Sequence, residues 1–186
     1  MITRTLSVLL FIGAMLFAST ANAQQRDHLT PQEVDLVKEA QVLDKRIDVF
    51  IKAADRRLFV IKGGTAATAP SSKQAKKDAE KWGELPTGSR AELVSDIARI
   101  LDEAITNIDD VSSRDERNPL IGKSLRKLAT AVNTLMTELK PLATEAKSDA
   151  EIASFELLNE DAQSILEAAT KLPPEVDPKK AKAKNE

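Results

Sequence analysis

Four stretches of this chain place apolar residues alternately four and three positions apart, a rhythm that suits helices burying one face and no other regular structure. The first runs Leu36, Ala40, Leu43, Ile47, Phe50, Ala54, Leu58 and Ile61. Thr30, Pro31 and Glu33 stand ahead of it as cap, first-turn proline and reciprocal capping glutamate, with Leu29 and Val34 placed to staple the cap. Gly63-Gly64 ends it. Read as one helix, it spans about 45–50 Å at the usual rise per residue. Its one irregularity, between Phe50 and Ile61, is a stutter that a straight bundle helix accommodates.

Ser89 and Glu92 form a second capping box, ahead of Val94, Ile97, Leu101, Ala104, Ile108 and Val111. Asn118-Pro119 opens a third helix carrying Ile121, Leu125, Leu128, Val132, Leu135, Leu139 and Leu142, which Pro141 is expected to kink or end. Ser148 and Glu151 form a third box ahead of Ile152, Phe155, Leu158, Ala162, Ile165, Ala169 and Leu172, and Pro173-Pro174 stops that helix. The boxes at Thr30, Ser89 and Ser148 are evenly spaced. Their stripes nevertheless fall at different offsets from the caps, so shared capping chemistry explains the spacing better than duplication does.

These elements predict an all-α chain, an antiparallel four-helix bundle with a long first helix. The alternative is a helical hairpin that completes its core as a homodimer, and the surplus length of helix one leaves room for it. Residues 1–23 read as a signal peptide: Arg4 precedes the apolar run Leu6–Phe17, and Ala21-Asn22-Ala23 offers a small-x-small cleavage site. That run is too short for a membrane span, so the expected location is periplasmic or extracellular. Residues 24–29 then form a flexible leader, and 30–172 the bundle. Within it, 63–88 is a mobile connection in which Ser72 caps a short helix from Lys73 to Trp82. Residues 173–186 form a disordered basic tail.

Composition narrows the chemistry. Cysteine is absent, which removes disulfides, thiol catalysis and thiolate metal sites, so packing alone must hold the fold. With 27 basic against 29 acidic residues, the charge balance gives no reason to expect a nucleic-acid partner. His28 is the sole histidine and lies off every stripe, so the core has no haem or di-metal ligand set, and no cofactor is expected. Every stripe position is apolar, so no charged group is expected inside. Asp109, Asp110, Asp115 and Glu116 invite a hard cation, but the interleaved Arg114 and Arg117 make a self-neutralised turn the simpler reading. Lys73, Lys76, Lys77 and the lysines of the tail lack the apolar face that a membrane-embedded helix needs.

One surface stands out. Arg56 and Arg57 precede Leu58, Phe59, Val60 and Ile61, so that end of helix one reads either as a partner-docking surface or as a site covered by the loop that carries Trp82. The covering loop is the simpler of the two. The expected function is that of an exported, non-enzymatic adaptor or holdase that binds another protein, with Arg56, Arg57, Phe59, Val60 and Trp82 as candidate contacts. The alternatives are a carrier of an apolar ligand between the helices, or an enzyme with a loop site around Lys81, Trp82 and Arg114 or at the Asp109 cluster.

Overall fold

Local capping chemistry fixes where the helices begin. The computed structural model describes residues 26–68 and 73–173, and these are all-helical, with six helices and no strand. The helices are α1 (Pro31–Glu39), α2 (Leu43–Ile61), α3 (Lys73–Trp82), α4 (Arg90–Arg114), α5 (Pro119–Thr144) and α6 (Asp149–Thr170). The signal peptide expected at 1–23, the cap expected at Ser72 and the tail from 174 onward lie outside the described residues. Thr30 and Ser89 make complete capping boxes, and Asn118 accepts from the Leu120 amide at 3.0 Å. Ser148 accepts from the Glu151 amide at 3.2 Å, but the Glu151 carboxylate turns to Arg90 and to the Lys147 amide, so the third box is only half made. Gly63 ends α2 at φ +84°, where the Gly64 amide reaches back to the Phe59 carbonyl at 2.9 Å.

The long first helix is not continuous. At Ala40 (ψ 79°) and Val42 (ψ 130°) the backbone leaves the helical region, and α1 folds back beside α2. Glu33 and Arg57 show the reversal. An unbroken helix would hold them about 36 Å apart, whereas here they are 2.6 Å apart. The physical reason is tertiary, since neither glycine nor proline occupies the break, and folding back buries Leu36 and Glu33. Pro141 does not end α5 either; it faces solvent near the C-terminus, as does Thr137, whose carbonyl loses its donor.

Ion pairs give the helix directions. Lys123 and Lys127 of α5 meet Asp44 and Asp48 of α2, and Lys62 meets Glu138, so α2 and α5 run parallel. Arg90–Glu151 joins the first turns of α4 and α6, which are therefore parallel too. Arg46 at the start of α2 reaches Asn107 near the end of α4, making that pair antiparallel. Helices α4 and α5 each pack on the other three of these four, whereas among the described residues α2 does not touch α6. Among the described helices, α1 packs on α2 and α3 alone.

The stripes meet as their spacing predicts. Ile47, Phe50, Ala54, Val94, Ile97, Leu101, Ala104, Leu128, Val132, Leu135, Leu139, Leu158, Ala162 and Ile165 are all at most 1% exposed. Ile152 departs from this, being 41% exposed in the first turn of α6, where Arg90–Glu151 makes the tie to α4. No helix among the described residues is long and apolar enough to cross a membrane. Because Leu135 is fully enclosed, Leu135→Ala should leave a cavity and cost about 2–5 kcal/mol, measured by urea unfolding followed by circular dichroism.

Candidate functional site

The expectation of a wholly apolar interior fails at Glu33. Its side chain is 0% exposed and lies against Arg57, at 1%, and Arg56, at 6%. Burying a lone carboxylate is so costly that it persists only when paired and hydrogen-bonded. Here Oε1 accepts from Nη1 of both arginines at 2.6 Å, and Oε2 accepts from the Thr30 amide at 2.9 Å. Glu33 is therefore at once the reciprocal cap of α1 and the anion of a buried ion cluster.

Each arginine then ties in other segments. Arg57 donates to the His28 carbonyl at 2.6 Å and to the Ala53 carbonyl at 2.9 Å, and its Nε has no hydrogen-bond partner among the described residues. Arg56 donates to the carbonyls of Gly83, at 3.1 Å, and of Glu84. Its guanidinium also lies 5.6 Å from the centre of the Trp82 ring. Gly83 turns the chain out of α3 at φ +66°, a left-handed conformation that favours glycine. Leader, α1, α2 and the end of α3 thus converge on one carboxylate. Burial pushes the Arg56 pKa down against the pull of Glu33.

Beside this cluster the leader lies along α4. Arg26 pairs with Asp96, and His28 Nε2 lies 2.8 Å from Glu103. Leu29 is 6% exposed and joins the core. Burial raises the Asp96 carboxyl above its ordinary range, while Arg26 and Arg57 pull the other way. Further along, Asp161 of α6 is pushed up to about 6, first by burial and then by Asp102 across the α4–α6 seam and Glu160 beside it.

The candidate residues are distributed unevenly. Arg56, Arg57 and Trp82 come together, with both arginines buried and Trp82 half-buried at the core edge. Phe59 and Val60 are half-buried, the Phe59 ring lying over Gly64. Lys81 is exposed, far along the chain from Arg114, whose Nε donates to the Asp110 carbonyl at 3.1 Å. Asp109 and Asp110, near the end of α4, and Asp115 and Glu116, in the turn after it, are all exposed, and Asp115 accepts from the Arg117 amide at 3.3 Å. Among the described residues no group of three or more His, Asp or Glu is placed to hold a metal ion. His28, which belongs to the leader expected to be flexible, is half-buried against Glu103.

Sequence reasoning missed Glu33 as a buried ion because the capping box already accounted for it. The one available signal was the pair Arg56-Arg57 inside an apolar stretch, which demands an anion if that stretch is buried. Chemically the cluster is a clasp: Glu33 is sealed from solvent and its oxygens are occupied by the chain's own donors. No protein-family model matches this sequence, and no curated protein or solved structure is significantly similar to it.

Two outcomes follow from the electrostatics. Glu33→Gln leaves two buried guanidiniums without their anion and should cost about 3–5 kcal/mol in urea unfolding, with a red shift of emission from Trp82, the sole tryptophan. For Asp161 the folded form holds its proton more tightly than the unfolded chain, so stability falls as pH rises from about 4 through 6. Asp161→Asn should therefore raise the melting temperature at pH 7.5 and flatten that pH dependence, as read by thermal circular dichroism.

Proposed function

We propose that this chain is an exported, non-enzymatic helical protein that binds other proteins as an adaptor or holdase of the cell envelope. Export is supported by the charge, apolar run and small-x-small site of residues 1–23. In this reading α2, α4, α5 and α6 make a four-helix bundle whose corners run α2, α4, α6, α5. The turn between α4 and α5 then crosses the diagonal, which accords with the parallel α2–α5 and α4–α6 pairs.

The observation that carries the binding role is the surface of α6. Only Leu158, Ala162 and Ile165 of its 22 residues are buried, whereas α4 buries nine of 25. Ile152 and Leu157, each 41% exposed, flank that narrow buried stripe on either side, and Phe155 is half-buried. Large apolar side chains left at the rim of a core suit contact with unfolded or partner chains. Phe59 and Val60 contribute less to such a surface than their sequence context suggests, because each is half-buried.

The test is suppression of aggregation of a heat-unfolded client enzyme, followed by light scattering at equimolar ratio. The chain should suppress scattering, and the double variant Ile152→Ser, Leu157→Ser should lose more than half of that effect while keeping its helical circular dichroism. No suppression by the unaltered chain would remove the holdase role.

A further inference from the structure

The leader is pinned along its length. Arg26 pairs with Asp96 of α4, which is only 4% exposed, and donates also to the Thr87 carbonyl. Asp27 accepts from the Leu29 amide at 3.2 Å, and His28 Nε2 lies 2.8 Å from Glu103. Arg57 holds the His28 carbonyl at 2.6 Å, and Leu29, 6% exposed, enters the core. From Arg26 to Leu29 the chain is thus strapped across α4 and α2 by charge, backbone and apolar contact. Such anchoring is the opposite of what a protease needs, since cleavage concentrates where the backbone is exposed and free.

Ala23, the residue at the expected signal-peptide junction, stands three residues ahead of Arg26. Covalent geometry alone keeps it within about 11 Å of that docked residue. A protease takes its substrate as an extended strand laid along a groove. Protease–inhibitor contacts cover about 800 Å² on each partner, equivalent to a disc about 16 Å in radius. The strand runs in the plane of that disc, so a disc centred on the Ala23–Gln24 bond extends past Arg26 and meets α4. Clearing it takes a free tether of about 18 Å, or about five residues. Arg26 and Asp27 must then let go, which leaves the Asp96 carboxylate buried without its cation.

We propose that docking of the leader on α4 closes the processing site, so that a signal peptidase cuts after Ala23 only while residues 26–29 are free. The inference rests on the reading of residues 1–23 as a signal peptide. Cleavage adds water across the Ala23–Gln24 amide and leaves a carboxylate on Ala23 and an amine on Gln24. It precedes folding, and the chain therefore crosses the membrane unfolded. The strap is made last: Arg26 reaches Asp96 only after the junction has been cut, and the folded body shields that bond in any chain that folds first.

The experiment compares cleavage rates by a purified bacterial signal peptidase in mild detergent. Its substrates are a peptide of residues 1–40, which has no α4 to dock on, and the full precursor, folded by circular dichroism and Trp82 emission. A third is the same precursor with a Gly-Ser spacer between Gln25 and Arg26, about eight residues long and adding about 29 Å of reach. Because cleavage follows the fraction of leader that is undocked, the precursor should be cut at least about tenfold more slowly than the peptide. The spacer, which alters neither the junction nor the docked residues, should restore the peptide's rate. Equal rates for precursor and peptide overturn the proposal, as does a spacer that restores nothing. A peptide that the enzyme leaves intact removes the export reading, and the order of events with it. A soluble sequence-specific protease, with its recognition sequence in place of residues 18–23 and 1–17 removed, reads the shielding without the apolar run. Equal rates with and without the spacer there would show that the docked leader shields nothing.

Discussion

One buried carboxylate, shared by two arginines, decides how the first third of this chain is arranged. Glu33 lies between Arg56 and Arg57 with no exposure to solvent, and through those two guanidiniums it meets backbone carbonyls of the leader, of α2 and of the segment after α3. Replacing such a cluster with apolar side chains is often neutral or stabilising, so total stability is a poor explanation for it. Specificity is a better one. An apolar α1 could slide or rotate on α2, whereas a carboxylate that must find two donors and a capping amide has one position to occupy.

That arrangement also sets what the cluster can do. Two cations share the one anion, and beside them Asp96 of α4, whose carboxyl burial raises above its ordinary range against the pull of Arg26 and Arg57, pairs with Arg26 of the leader. The network therefore links the leader and α1 to the long helices electrostatically as well as through Leu29. Reactive groups in it are spent on holding the chain together.

The long helices divide the work differently. Their interior is largely aliphatic and tightly enclosed, and the ion pairs that join them lie along the seams, where Lys123, Lys127 and Lys62 align α5 with α2 and Arg90 aligns α4 with α6. Exposed pairs of this kind contribute little energy singly, but they discriminate between parallel and antiparallel neighbours. The α4–α6 seam carries a like-charge contact as well, between Asp102 and Asp161, which burial makes more costly.

The sequence by itself determined the local events. Thr30, Ser89, Asn118 and Ser148 fix helix starts because a side-chain oxygen two or three residues from a free amide needs no distant partner. The three-four spacing fixes which faces are buried because it is a property of one turn of helix. Leu128, Val132, Leu135 and Leu139 were legible for that reason, as was the short helix ending at Trp82. The break at Ala40–Val42 was not, since every local signal there favours continuing the helix. Only when α1 folds back do Glu33 and the arginines 23 and 24 residues later meet, and a contact across that separation leaves no periodic mark. Helix directions around the core, the burial of Glu33 and Asp96, and the shared clasp were settled by the tertiary structure, because desolvating a charge depends on what surrounds it in space.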